Sequence, residues 1–251
     1  MTSSPRLSAN ERRRSILKAA VPLFASNGFN GTTTKQIAAA ASVSEALLYK
    51  HFPSKEAIYA ELEEICLAKD KLTEKVIHLE KGTQTLVQLV YLMITTIYKG
   101  DARLRGEGIT HSHLQRLMIN SYLEDGAFAR LFINHNLSDW QDLFSACMRQ
   151  AIANGDMLDD WIQPSARWWL AHHVGVAIGI LNMPEEEVIS YGFPREQLLD
   201  QAVRFALRGM GLSDQAITKY HNQENLERFR DELFGEKAEP VTQTHVLKKD
   251  R

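Results

Sequence analysis

Two helix-start signals stand close together within residues 32–55, and their spacing constrains the fold more than any other feature. Residues 33–36 read Thr-Thr-Lys-Gln and fit a capping box, in which the first and fourth residues satisfy free N–H groups at a helix start. Ser44 is a favoured cap for a second helix. Because only residues 42–43 separate the two predicted helices, the sequence predicts a tight turn between them.

A further helix precedes this pair and gives it a surface to pack on. Residues 8–11, Ser-Ala-Asn-Glu, fit another capping box, and the apolar positions of residues 16–24 fall on one helical face. Gly28 is predicted to end this helix, because glycine readily adopts a positive φ. Leu48 and Phe52, one turn apart in the last helix, are predicted to point inward. Three helices with a tight turn between the last two form a helix-turn-helix arrangement.

The remainder of the chain also reads as helical, so we predict an all-α fold. No convincing alternation of apolar and polar residues, the mark of a strand, is found beyond residue 60. Glycines and prolines separate the segments with helical periodicity. The predicted helices cover about residues 55–78, 83–99, 111–123, 127–153, 164–183, 195–210 and 214–234, and residues 235–251 are predicted to be disordered.

Basic residues are concentrated at the amino-terminal end of a mildly acidic chain. Residues 1–58 contain eight Lys or Arg and three Glu, whereas the rest of the chain contains 21 basic and 28 acidic side chains. A basic segment on an acidic body indicates that only the amino-terminal helices meet a polyanion. The alternative is a chance excess of charge on a solvated face.

Cysteine content and hydropathy predict a cytoplasmic protein. Cys66 and Cys147 are too far apart for a zinc-binding pair and too few for a disulfide framework, so a reducing compartment is expected. The first residues lack the apolar core of a secretory signal. The longest uncharged run, residues 168–184, is short for a membrane span and contains two histidines, so we expect a buried helix there.

The second helix of the closely spaced pair has an outer face suited to a DNA groove. Glu45, Ala46, Tyr49 and Lys50 share this face. A small residue allows close approach of the backbone, Tyr49 is able to contact a phosphate, a sugar or a thymine methyl group, and a helix N-terminus favours phosphate. The alternative is that the three helices are only a packing motif.

The segment from Ile16 to Tyr59 resembles the DNA-binding domain of the TetR family of bacterial regulators. The resemblance rests on residues in a fixed order: Ala20, Phe24, Gly28, Thr33, Ile37, Ala38, Ala41, Val43, Ser44, Tyr49, His51, Phe52 and Lys55. It implies that the partner is double-stranded DNA, with an imperfect palindrome as the expected operator. The predicted DNA-binding residues are Thr33, Lys35, Ser44, Glu45, Ala46, Tyr49, Lys50, His51 and Lys55.

Three positions depart from the family pattern. Ser42 stands where a turn glycine is usual, Ala46 where glycine is frequent, and Glu45 where a basic or hydroxyl residue is common. Glu45 is able to accept from a cytosine amino group, or it is only a favourable acid in a first helical turn, and both readings stay open. The departures therefore concern base preference rather than DNA binding.

By the same resemblance, the body is expected to form a homodimer through its last two long helices and to hold a ligand pocket. Ala171, Gly175 and Gly179 form a line of small residues one turn apart, as close helix packing requires, with packing inside one chain as the alternative. The predicted dimer residues are Ala171, Gly175, Ile178, Gly179, Leu198, Ala202 and Phe205. The candidate pocket aromatics, which are otherwise plain core residues, are Phe128, Phe132, Trp161 and Trp168.

The sequence predicts a regulator rather than an enzyme. His111 and His113 lie two apart, which on a helix places them on different faces, and no phosphate loop, nucleophile elbow or HExxH motif occurs. Neither a metal nor a cofactor is therefore predicted. The expected function is a homodimeric repressor that a small, largely apolar effector releases from its operator. The alternative is a DNA-bound structural or division-linked factor without an inducer.

Three segments follow from these features. Residues 10–70 are predicted to form the DNA-binding domain, with the helix-turn-helix at about 33–52. Residues 71–212 are predicted to form a helical ligand-binding and dimerisation domain, and residues 213–251 a polar, partly helical extension.

Overall fold

The computed structural model describes residues 7–67, 71–99, 109–186 and 188–234, and every regular element within these ranges is a helix. The all-α prediction is confirmed. In the same ranges, no helix is long and apolar enough to cross a membrane. The helices are α1 (Ala9–Asn27), α2 (Thr34–Ala40), α3 (Glu45–His51), α4 (Lys55–Cys66), α5 (Lys71–Val76), α6 (Thr83–Lys99), α7 (His111–Leu123), α8 (Ala127–Ala153), α9 (Pro164–Leu181), α10 (Arg195–Gly209), α11 (Asp214–Tyr220) and α12 (Gln223–Phe234).

Helices α1 to α4 enclose a hydrophobic core that side chains of α7 and α8 extend. Phe24, Leu48 and Phe52 are fully buried in it, which confirms the inward face predicted for the third helix. The capping boxes predicted at Ser8–Glu11 and Thr33–Gln36 are both present. These caps fix where α1 and α2 begin, because each satisfies N–H groups that the first turn of a helix leaves unpaired.

The turn between α2 and α3 contains a strained backbone position. Ser42 has a φ of 54° and is the only residue other than glycine with a positive φ in the described part of the chain. Its N–H donates to the carbonyl of Ala39 at 3.1 Å, and the next N–H, that of Val43, donates to Ala38 at 2.9 Å. A left-handed conformation costs a residue with a side chain roughly 1–2 kcal/mol. The turn therefore has a geometry that suits glycine better than serine.

The body is built around α6, which is apolar on nearly all sides. Leu86, Leu89 and Ile94 of this helix are fully buried, and α8, α9, α10, α11 and α12 all pack against it. A helix without a polar face is stable only when other elements cover it. The arrangement makes α6 the centre of the second hydrophobic core.

Most predicted helices agree with the structure, and two are interrupted. The bounds of α6, α7 and α8 are those predicted, and α9 and α10 end within two residues of the prediction. The helix expected over residues 55–78 is present as α4 and α5. The helix expected over residues 214–234 breaks at His221, because the Asn222 side chain accepts from the N–H of Asn225 at 3.0 Å and starts α12. The predicted disorder of residues 235–251 lies outside the described residues.

Replacing Ser42 with glycine is expected to stabilise the helix-turn-helix. The change removes the strain of a side chain at positive φ, and the net gain is up to about 1 kcal/mol after the larger entropy of an unfolded glycine is counted. Ala39→Gly, inside α2, is the matched control and is expected to lose about 0.5–1 kcal/mol. Amide hydrogen exchange of peptides covering residues 34–51 measures the opening free energy. Unchanged or faster exchange in Ser42→Gly would show that the turn carries no strain.

Candidate DNA interface and ligand cavity

Helix α3 presents its short polar and aromatic residues to solvent. The Ser44 hydroxyl accepts from the N–H of Leu47 at 3.2 Å and caps the helix, while Leu48 anchors the inner face. The predicted outer-face residues are exposed, and Tyr49 has 47% of its surface accessible. The Tyr49 ring is therefore accessible to a partner on this face.

The start of α2 adjoins this face. The Tyr49 hydroxyl lies 3.1 Å from the hydroxyl of Thr34, the first residue of α2. Thr33 and Lys35 on either side of Thr34 are exposed. We propose that these two residues and the exposed residues of α3 contact DNA: Ser44, Glu45, Ala46, Tyr49 and Lys50.

His51 and Arg13 form part of the scaffold behind α3. Arg13 donates to the backbone carbonyl of His51, pairs with the carboxylate of Glu61, and lies 4.0 Å from the centre of the Phe52 ring. His51 itself is half-buried at the end of α3. The charge of Arg13 is therefore balanced inside the domain, so the count of basic residues overstates the charge offered to DNA.

Lys55 has a structural position that its charge alone does not reveal. Its ammonium group donates to the carbonyls of Phe29 at 2.8 Å and Thr32 at 3.0 Å, and it lies 4.1 Å from the centre of the Phe29 ring. These contacts hold the loop between α1 and α2 against the first turn of α4. Two of its three donors are directed to the protein, and its predicted contact with DNA stays a prediction.

A cavity of about 200 Å³ lies in the body between α6, α7, α8 and α9. Two of the four aromatics predicted to form pocket walls, Phe132 and Trp168, line it. The other two lie elsewhere: Phe128 is buried in the core shared with α1 to α4, and Trp161 is 87% exposed ahead of α9. Neither residue lines the cavity, so the prediction of Phe128 and Trp161 as pocket walls is corrected.

Sequence reasoning missed the contribution of α7 to the cavity. Leu114, Met118 and Tyr122 recur at every fourth position of α7 and line one wall, with Gln115 and Ile119 beside them. This spacing was visible in the sequence, since residues four apart share a helical face. It does not distinguish a cavity wall from a filled core.

The cavity lining is uncharged. Neither Asp, Glu, Lys nor Arg is among the residues that line the cavity. Burial, with a smaller contribution from neighbouring His173, lowers the pKa of the lining residue His172 to about 4. His172 is consequently neutral at pH 7. The cavity thus has apolar walls and a few neutral hydrogen-bonding groups.

The same helix that lines the cavity also holds the end of α1. The Asn120 side-chain amide of α7 donates to the carbonyls of Phe24 at 3.3 Å and Ala25 at 3.0 Å. The Phe24 carbonyl also accepts from the N–H of Gly28 at 3.0 Å, so this amide adds a bond from another helix at the end of α1. Beyond it, a Cβ added to Gly28 would lie 2.6 Å from a carboxylate oxygen of Glu124, so the two helices approach closely.

The line of small residues on α9 packs inside the chain. A Cβ added to Gly175 would lie 3.2 Å from Ile97 of α6, and one added to Gly179 would lie 2.6 Å from Gln115 of α7. The prediction that these glycines mark the closest approach of two subunits is corrected, because α6 occupies that side. The other predicted dimer residues divide into Phe205, which is exposed, and four that are buried: Ala171, Ile178, Leu198 and Ala202.

Comparison with known proteins places the amino-terminal helices in a family. Residues 16–62 match the model of the bacterial regulatory proteins of the tetR family. The nucleoid occlusion factor SlmA of Salmonella paratyphi B is 39% identical over 87 residues, covering 33% of this chain and 43% of that relative. The chain therefore spans less than half the length of the curated relatives it matches.

The whole architecture has counterparts among solved structures. The ketosteroid transcriptional regulator KstR2 of Mycobacterium tuberculosis superposes with a TM-score of 0.56 at 18% identity, over 84% of this chain and 100% of that one. AibR, solved with isovaleryl coenzyme A and operator DNA, gives 0.55 at 20% identity, over 78% and 97%. At these identities the likeness establishes the fold.

The helix-turn-helix of α2 and α3 lies within the segment that matches this family. Residues 16–62 are therefore similar to the DNA-binding part of the TetR family of bacterial regulators. The resemblance predicted from residues 16–59 is confirmed.

Lys50 and Lys55 are expected to differ when each is changed to alanine. Lys50→Ala should lower the slope of log affinity against log salt by about one unit on any DNA sequence, because one phosphate contact is lost. Lys55→Ala should leave that slope unchanged and destabilise the domain by about 1–2 kcal/mol, because two carbonyls lose a charged donor. Lys81→Ala, on the body, is the charge-matched control. Equal slopes for the Lys50 and Lys81 variants would remove Lys50 from the interface.

Proposed function

We propose that this protein is a homodimeric transcriptional repressor that a small molecule releases from its operator. The observation that carries the proposal is the double contact of α7, which lines the cavity and also donates to the last turn of α1 through Asn120. A molecule that enters the cavity meets α7 directly. A shift of α7 then moves α1, the helix on which α2 and α3 pack.

Two similar folds support a ligand-responsive reading. AibR was solved with isovaleryl coenzyme A and operator DNA together, and KstR2 is named as a ketosteroid transcriptional regulator. In this chain the corresponding chemistry is an uncharged cavity with apolar walls. A ligand shifts an equilibrium only as far as its affinities for two conformations differ. The wall that moves between those conformations is proposed to be α7.

The proposed dimer interface is the outer face of α9 and α10 rather than the small-residue line. Leu170 of α9 is 61% exposed and Phe205 of α10 is 69% exposed, although both are large apolar residues. The two helices pack on each other, so their outer faces adjoin. Ala177, which follows Leu170 after two turns, is also exposed. Exposed apolar residues on adjoining helices are typical of a surface that another subunit covers.

Dimerisation supplies affinity that one helix-turn-helix lacks. When one dimer carries two helix-turn-helix units, the second contact with DNA is intramolecular. This raises the overall affinity by orders of magnitude. The two helix-turn-helix units must reach successive major grooves, about 34–36 Å apart or a multiple of that distance. The operator is therefore expected to be an imperfect palindrome, and a dimer covering it blocks a promoter sterically.

A DNA-bound factor linked to cell division is the second candidate. It is favoured by the 39% identity with a protein named as a nucleoid occlusion factor. Such a factor is expected to occupy many chromosomal sites and to ignore metabolites. A repressor is expected to occupy few sites and to release them with one class of compound. Mapping of bound sites across the genome, followed by a gel shift against a metabolite panel, separates the two candidates.

Asn120→Ala is expected to weaken the link between the cavity and the DNA-binding helices α1 to α4. The variant keeps both the cavity wall and the DNA-contacting residues, so operator affinity without effector should stay within about threefold of the parent. The change in operator affinity caused by a releasing compound should fall by about tenfold, because the two hydrogen bonds lost are together worth about 1–3 kcal/mol, the size of a typical coupling. Asn134→Ala, at an exposed position on α8, is the control. Undiminished release in Asn120→Ala would contradict transmission through this contact.

Phe205→Glu is expected to give a helical monomer that has lost most of its operator affinity. The substitution places a charge where the second subunit would bury an aromatic ring, and an unpaired buried charge is strongly unfavourable. Leu131→Glu, an exposed apolar position on α8, is the matched control and should stay dimeric. Sedimentation and a gel shift on the same preparation decide the matter. A Phe205→Glu variant that stays dimeric would move the interface elsewhere, with residues 214–234 as the next candidate.

A further inference from the structure

The polar groups around the cavity fall into two sets. The first set is already hydrogen-bonded within the protein. The side-chain N–H groups of Gln115, Asn136 and Trp140 donate to protein oxygens at 3.2, 3.1 and 3.0 Å. Each of these N–H groups thus has a partner in the protein, although the Gln115 and Asn136 amides each keep a second N–H and a carbonyl oxygen.

The second set consists of buried polar atoms without a partner. These are the hydroxyl of Thr96, the indole N–H of Trp168 and Nδ1 of His172. Trp168 and His172 lie one turn apart on α9, with ring centres 5.9 Å apart, and Thr96 lies on α6, which packs against α9. Buried polar atoms in proteins are nearly always hydrogen-bonded, so three exceptions in one cavity require an explanation.

The chemistry of these atoms indicates what would satisfy them. An indole N–H only donates, and the Thr96 hydroxyl is able to donate, so their natural partner is an acceptor oxygen. A charged ligand group would be poorly matched, because the lining contains no side chain of opposite charge to offset its desolvation. His172 offers no compensation either, since it is neutral at pH 7.

The volume of the cavity limits the size of the molecule that it is able to hold. Its volume of about 200 Å³ exceeds the roughly 150 Å³ of an engineered apolar cavity that accepts benzene, so one substituted ring or a short chain fits. Tyr122 and Ile180 are the lining residues with large exposed surface, whereas Trp168 is 1% exposed. The three unpaired polar atoms are shielded from solvent.

We propose that the cavity binds a small, uncharged, mainly apolar molecule whose single acceptor oxygen, as in a ketone, ester or alcohol, reaches Trp168 and Thr96. The identification of this molecule as the effector rests on the proposed function above. The binding of this class of molecule does not. An ordered water on the same atoms is the competing explanation, and it predicts no preference for an oxygen-bearing ligand.

Four molecules with the same number of heavy atoms test the proposal. Acetophenone carries the neutral acceptor, isopropylbenzene lacks it, benzoate places a negative charge there, and benzamidine a positive one. Binding to the full chain is measured by calorimetry and by quenching of tryptophan fluorescence. We expect acetophenone to bind at least about a hundredfold more tightly than benzoate or benzamidine, because neither charge finds a partner in the lining.

Variants separate the acceptor contact from general burial. Thr96→Val together with Trp168→Phe should weaken acetophenone about tenfold relative to isopropylbenzene, because two hydrogen bonds are lost while the apolar walls remain. Each single variant should show part of this effect, so a folding defect in one leaves the other informative. Thr95→Val is the matched control, since that hydroxyl already donates to the backbone of Tyr91 at 2.7 Å.

The outcomes are distinct. A constant ratio of acetophenone to isopropylbenzene affinity across the variants overturns the proposal, as does equal binding of a charged probe or failure of every probe to bind. A gel shift with the same preparations tests the proposed function separately. Acetophenone that binds with the expected ratios but leaves the operator complex intact overturns the repressor mechanism and supports the ligand class. Operator release by benzoate alone overturns the ligand class and supports the repressor mechanism.

Discussion

The contact between α1 and α7 is the interaction on which the rest of the arrangement depends. The Asn120 amide donates to two carbonyls near the end of α1, one of which, that of Phe24, also accepts from the N–H of Gly28. One hydrophobic core lies on either side of this junction, and Leu117 and Phe128 extend the head's core into α7 and α8. Because backbone groups rather than flexible side chains receive these hydrogen bonds, the orientation of α1 is tied to that of α7.

Local signals determined how much of the fold was predictable. Helix starts at Ser8 and Thr33 were correct because a capping box is written entirely in neighbouring residues. The break at His221 was missed because Asn222 acts as a cap only once the chain has turned there. The sequence did not reveal which helices Gly175 and Gly179 face, because small residues indicate a close approach but not the element that approaches. Lys55 shows the same limit, because a charge does not reveal its direction.

The aromatic residues of the body illustrate why a cavity is harder to predict than a core. Trp168 and Phe132 line the cavity, Phe144 fills the core against Trp168 with ring centres 4.5 Å apart, and Trp161 is exposed. Their spacing in sequence is equally compatible with each of these positions. What separates them is the volume left over when four helices pack, and that volume depends on every side chain at the junction. Hydrogen bonding distinguishes the two tryptophans of the lining, because the indole N–H of Trp140 donates to a threonine hydroxyl while that of Trp168 has no partner.

The free energies of the hydrogen bonds between α7 and α1 are large enough to couple the cavity to helices α1 to α4. A hydrogen bond contributes about 0.5–1.5 kcal/mol net, so the two that Asn120 makes to α1 amount to about 1–3 kcal/mol. Coupling between an effector site and a second site is typically of that size, about 1–3 kcal/mol. A ligand that displaces α7 enough to break these bonds would therefore change the relative free energies of two positions of α1. A change of that size would suffice for regulation. The unpartnered donors of Thr96 and Trp168 work in the same direction, because a buried donor without a partner costs about 1–3 kcal/mol. A ligand of the proposed class would gain affinity from these groups, and part of that gain would be available to move α7.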